Sequence, residues 1–224
     1  MSDTVARGEK TYNLSEGDTM SKTCATLLGL LAFVMMLATS SFALAQDKAS
    51  QFESEPDKTM AAANAAFVKG NMKKASEDIN KAAAYVGKQA KTVAKGSQEG
   101  VKQAGEALAK LGKDVKEGTV KSADDLNKTF ASVDHALAKA WHATAEEAQK
   151  SGKNSTAALK KAGSALAGAA KWSGTQLQEG AQASVDAVKK VGTGAGKGMK
   201  AGAEEVDKWF KGIGEGIDEV GKKL

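Results

Sequence analysis

The chain has 224 residues, with 32 Lys+Arg against 27 Asp+Glu, a formal charge of +5, one cysteine and one proline. A single cysteine excludes a disulfide scaffold and a cysteine-based metal or catalytic cluster. The only arginine is Arg7, so basic contacts elsewhere are lysine point charges that lack the forked recognition of phosphate, and no nucleic-acid partner is expected.

Residues 1–45 read as an upstream extension followed by a cleaved secretory signal, with Met20 as the true start. Residues 25–38 form an apolar run, Lys22 supplies its positive flank, and Ala43-Leu44-Ala45 is a small-residue cleavage pattern. The run falls short of the roughly 20 residues that a spanning helix needs. Cleavage after Ala45 predicts a product secreted across the inner membrane into the periplasm. That product, residues 46–224, carries no cysteine. Only 27 of its 179 residues are Leu, Ile, Val or Phe. This is below the roughly one fifth usual for a globular chain, so a thin, alanine-rich core is expected.

Residues 46–55 read as a flexible leader and residues 56–86 as a helical hairpin. Pro56 suits a first helical turn, and Gly70-Asn71 suits the turn, with Asn71 as N-cap of the second helix. Met72, Ala75, Ile79, Ala83 and Val86 then share one face. The string AAANAAFVKGNMKKASEDINKAAAYV resembles one tetratricopeptide-like hairpin. More loosely, it resembles the N-terminal hairpin of YfdX-type bacterial periplasmic proteins. No second copy follows, so no solenoid is expected.

Residues 87–191 carry long amphipathic helices with a break at 151–155. Val93, Ala104, Val115, Leu126, Leu137 and Ala148 form a row that advances eleven residues at a time. Leu108, Thr119, Phe130 and Trp141 form a second row beside it. Eleven residues make almost three helical turns, so both rows stay on one face. Ser122 and Asp125 form a capping box at which the helix restarts. Beyond the break, Leu159, Leu166, Ala170, Leu177, Ala181, Val185 and Val188 are expected inward. Residues 192–198 (GTGAGKG) read as a linker. Residues 199–224 read as a terminal amphipathic helix, with Met199, Ala203, Val206, Phe210, Ile213, Ile217, Val220 and Leu224 in one stripe.

Many glycines interrupt these helices, among them Gly96, Gly100, Gly105, Gly112, Gly118, Gly163, Gly168, Gly174 and Gly180. Each costs about 1 kcal/mol relative to Ala inside a helix. The expectation is helices too frail to stand alone, formed only where their stripe is buried. The recurrent Ala-Lys-Glu-Gly segments over residues 86–224, such as KQAGEALAKLGKDVKEG and WSGTQLQEGAQASVDAVKKVG, resemble the 11-residue amphipathic repeats of apolipoproteins and late-embryogenesis-abundant proteins. That resemblance implies lipid-surface binding or protection under stress.

The fold class expected is all-α, an antiparallel bundle or an elongated stack of helical hairpins. The function expected is non-enzymatic: protein interaction or envelope stress protection, with this chain itself or another envelope protein as partner. A membrane surface is the first alternative partner. The expected interaction face comprises Phe130, Trp141, Trp172, Val206, Trp209, Phe210, Ile213, Ile217 and Val220. A periplasmic metal or small-ligand binder is the second alternative, resting on His135, His142 and Glu146 at i, i+7 and i+11. Both histidines are expected on the polar, solvated face, with Asp134 pointing elsewhere. No metal is assigned, no cofactor is expected, and no nucleophile, zinc or phosphate-loop motif assigns a catalytic residue.

Overall fold

The computed structural model describes residues 55–191 and 202–224. The signal, most of the leader, the 192–198 linker and Met199 lie outside these described residues. The protein is all-α: seven α-helices are present among the described residues. They are α1 (Asp57–Val68), α2 (Met72–Gln89), α3 (Gln98–Lys116), α4 (Ala123–Lys150), α5 (Thr156–Ser173), α6 (Glu179–Lys190) and α7 (Ala203–Gly221). A 3-10 turn, Lys95–Ser97, leads into α3.

Local chemistry sets the starts. The Asn71 side chain accepts the Lys74 backbone N–H at 3.1 Å and opens α2. The Ser122 hydroxyl accepts the Asp125 N–H at 3.3 Å and opens α4. Each satisfies a backbone donor that the first turn of a helix leaves bare.

The eleven-residue rows do not lie on one helix. The 88–150 segment is divided by residues 90–97 and 117–122 into α2, α3 and α4. Gly118 and Gly174 were read as glycines inside helical pattern. Both adopt positive φ, at 70° and 67°, and both follow helix ends. Gly174 also separates α5 from α6, where the pattern had suggested one stretch. A left-handed residue ends a helix, and glycine reaches that region without steric cost.

Pairs of close contacts fix the directions of the helices. Asn64 donates to Asn127 across α1 and α4 at 2.8 Å. Gly105 and Gly112 of α3 lie against Ala83 and Asn80 of α2, in reversed order. Gly163 and Gly216 place α5 and α7 in parallel, against Ile213 and Leu166 respectively. Successive helices therefore alternate in direction. The 28-residue α4 is the hub and packs on α1, α3, α5 and α7.

The core is continuous and rich in alanine. Phe130 and Trp172 anchor its centre, edge to face at 5.0 Å between ring centroids. Around them α5 presents Ala162, Gly163, Ala165, Gly168 and Ala169, all buried. Small residues let the α4 and α5 backbones approach, and this offsets the shortage of large side chains. Thus several glycines read as weak points are contact points. A Cβ on Gly112 would lie 2.8 Å from Asn80 Oδ1, and one on Gly163 would lie 2.9 Å from Val188 Cγ2. The intrinsic cost of about 1 kcal/mol stands at each of these glycines, and it is exchanged there for close packing.

The expected interaction face is largely turned inward. Phe130, Trp141, Trp172, Trp209, Ile213, Ile217 and Val220 are buried, and Val206 and Phe210 are partly buried against the same core. The stripe that was to meet a partner meets other helices of its own chain. Burial of apolar area drives this closure wherever a complementary face is within reach of the same chain. Among the described residues, Leu224 is the one large hydrophobic side chain left exposed.

Candidate functional site

The two histidines do not sit in solvent. His135 Nε2 lies 2.9 Å from the Ile217 carbonyl oxygen, and His142 Nε2 lies 3.1 Å from that of Phe210. A carbonyl only accepts, so each ring carries its proton on Nε2 and donates it. The two histidines and the two carbonyls are each seven residues apart, in opposite order, so α7 runs antiparallel to α4. Each carbonyl is covered in a helix by the side chain four residues on. Here those positions are Gly221 and Gly214, and a Cβ on them would lie 2.9 Å from His135 Nε2 and 3.5 Å from His142 Nε2. The glycines leave the carbonyls open, and the histidines fasten α7 to α4. His142 also stacks edge to face on Phe210 at 5.4 Å. Glu146 Oε1 is 3.6 Å from His142 Nδ1, a charge pair only when the ring is protonated. Among the described residues no group of three or more His, Cys, Asp or Glu is placed to hold a metal ion.

Burial, the largest influence, lowers the His135 pKa; the Ile217 hydrogen bond opposes it, Lys139 adds to the lowering and Asp218 opposes it. The neutral ring therefore contributes stability in full above the unfolded value near 6.5, and that contribution fades as pH falls through the lower folded value. Replacing either histidine by Ala is expected to cost about 1 kcal/mol. Hydrogen exchange is expected to show faster amides in α7, with α2 and α3 unchanged.

A buried polar constellation lies where α1, α4 and α5 meet. Asp134 of α4 is fully buried, and Asp57, in the first turn of α1, is 2% exposed. Their carboxyls face one another above Gly168 of α5. A Cβ on Gly168 would fall 2.5 Å from Asp134 Oδ2 and 2.6 Å from Asp57 Oδ1. Gly168 is thus the floor of a carboxyl pair. Burial raises the Asp134 pKa well above the usual carboxylate range; the Asp57 charge and a hydrogen bond with Asp57 add to this, and the Trp172 indole acts in the opposite sense. Two carboxyls in contact in a dry site hold a proton between them. Asp78 shows the contrast. It is equally buried, but Lys74 and Lys81 reach it at 2.7 and 3.2 Å.

The pair closes one end of a cavity of about 400 Å3. Its long walls come from α4 and α5. Asp134 is level with Gly168, and Trp141 is level with Lys161, so the cavity follows the antiparallel seam for two helical turns. Leu137 and Ala165 lie between these levels. Pro56, Tyr85 and Gln89 close the other side. The Lys161 ammonium sits over the Trp141 ring, 3.8 Å from its centroid, and Lys160 is beside it. Partial desolvation against the cavity wall lowers the Lys161 pKa, although much of the side chain is exposed. Burial, then the charges of Glu55 and Asp57, raise the Tyr85 pKa, so Tyr85 is a neutral donor. Glu55 is engaged by the Thr59 hydroxyl at the rim.

Of the expected face, only Trp141 lines this cavity. Asp57, Asp134 and Gly168 were not singled out as site residues. A signal for Asp134 was present: it lies four after Phe130, three before Leu137 and seven before Trp141, which puts a charge on the apolar stripe. Asp57 carried no such signal, because an acid in a first turn is the ordinary complement of the helix dipole.

No protein family, no curated protein and no solved structure matches this chain. No helix among the described residues is long and apolar enough to cross a membrane.

Proposed function

We propose that this is an exported, non-enzymatic helical protein that binds a small organic ligand in the cavity between α1, α2, α4 and α5. The observation that carries this reading is the cavity itself: about 400 Å3, walled by Trp141 and Leu137, with a buried carboxyl pair at one end. Small-molecule sites are concave, mostly apolar, several hundred Å3 in volume, and carry a few convergent polar groups. The export part rests on the sequence of residues 20–45. Protein interaction, envelope stress protection and lipid-surface binding through open stripes draw less support, because their apolar faces are occupied within the chain.

The test is a thermal-shift screen of the purified chain against small polar organic compounds. A ligand at a hundred times its Kd is expected to add about 2.7 kcal/mol of stability. Ser164 lines the cavity and is only partly buried, so Ser164→Phe fills the space with little strain elsewhere. The shift is expected to vanish in that variant. A screen without hits, or a shift that survives Ser164→Phe, overturns the reading.

A further inference from the structure

The cavity has two unlike ends. At one, Asp57 and Asp134 press their carboxyls together over Gly168. At the other, Lys160 and Lys161 flank Trp141, and neither lysine forms an ion pair among those of the described residues. Asp134 and Trp141 are seven residues apart, which is about 10 Å of helical rise. The wall between the ends is apolar, with Leu137 and Ala165. An acidic pole, an aliphatic middle and a basic pole form the complement of one kind of molecule.

We propose that the cavity binds an extended zwitterion, an ω-amino acid or a molecule of that shape, with its ammonium on the Asp57–Asp134 pair and its carboxylate on Lys160 and Lys161. This rests on the reading of the cavity as a ligand site. The Trp141 face already receives one aliphatic ammonium, that of Lys161, so the aromatic wall accepts a chain of this type. The lysine side chains are flexible, and Lys161 is exposed. They can swing from the ring to a carboxylate without movement of the backbone.

The acidic pole makes binding proton-linked. The pair holds a proton in the empty site. An arriving ammonium supplies the positive charge instead, and that proton leaves to solvent. The ionisable side chains of the cavity besides the pair are Tyr85 from α2 and Glu55 ahead of α1, with Lys160 and Lys161 of α5 at the far end. Neutral Tyr85 offers a hydroxyl but no charge. Affinity therefore rises with pH until the pair has lost its proton unaided. An α-amino acid, with its two charges adjacent, spans only one pole.

The test is calorimetry of the full chain with three probes: 6-aminohexanoate, hexylamine and hexanoate. Titrations run in two buffers of different protonation enthalpy. The expected result is binding of 6-aminohexanoate with release of about one proton, at least about tenfold tighter than either single-charge probe. Asp134→Asn is close to isosteric and is expected to lose about tenfold in affinity along with the proton release. Lys160→Ala with Lys161→Ala is expected to weaken 6-aminohexanoate and leave hexylamine unchanged. If Asp134→Asn does not fold by circular dichroism, the rise of wild-type affinity with pH serves in its place. Hexylamine binding as tightly as 6-aminohexanoate overturns the zwitterion while the ligand site stands. Binding without proton release overturns the role of the acid pair. No binding of any probe overturns this inference, and the Ser164→Phe comparison then decides the site reading separately.

Discussion

Gly168→Ala is expected to destabilise the bundle by about 1–3 kcal/mol, whereas Gly100→Ala is expected to stabilise it by up to about 1 kcal/mol. Both glycines are inside helices, and their intrinsic helix cost is the same. Their surroundings are opposite. A Cβ on Gly100 meets open space, while one on Gly168 meets Asp134 Oδ2 at 2.5 Å and Asp57 Oδ1 at 2.6 Å. Both acids are buried, and their one open side is the cavity, so a retreat takes them off each other and out of the contact over Gly168. Either the pair separates or α5 moves off α4, and α5 carries the Trp172 ring that packs on Phe130. Urea unfolding of the two variants at one pH checks the signs. Stabilisation of similar size at both positions would mean that helix propensity, not the close approach, governs.

Raising the pH is expected to weaken the native state through Asp134. The sign follows from the direction of the shift. Its folded pKa lies well above the unfolded carboxylate value near 4. The native protein therefore keeps a proton that the unfolded chain has lost. The contribution is full below the unfolded value and is lost as pH rises through the folded value, at roughly 1 kcal/mol per pH unit across that window. Asp134→Asn keeps the shape and removes the titration. The difference in stability between wild type and Asp134→Asn should thus move steadily in favour of the variant as pH rises. A difference independent of pH would show that the pair does not hold its proton. His135 acts in the other direction and in another place, since its neutral form is the one that the fold favours. The acid pair loosens the α1–α4–α5 seam in base, and the histidine loosens the α4–α7 contact in acid.

How far these features were legible follows from the range of the interactions behind them. The caps at Asn71 and Ser122 need only three or four neighbouring residues, and the sequence contains all of them. Most inward positions of α5–α7, from Leu159 to Val220, follow from periodicity within each helix; Ala203, at the start of the terminal stripe, is exposed instead. The breaks at Gly118 and Gly174 were harder. The same residue type is open at Gly100, a helix end at Gly174 and a carboxyl floor at Gly168, and nothing local separates the three. The histidines were misplaced for a related reason. Opposite the local apolar row means solvent only if nothing packs there, and α7 does.

The helical class and the amphipathic faces are local properties of the chain, because both come from backbone hydrogen bonding and a 3.6-residue period acting within a few turns. Tertiary structure decided what those faces meet. Apolar burial has no direction, so a stripe specifies that it will be covered without specifying by what. Here the cover is the chain itself, packed through glycine and alanine. The same packing brings together Asp57 and Asp134, 77 positions apart in the sequence. The contact at Gly168 creates a buried site in which two acids face a cavity, and only the fold could put them there.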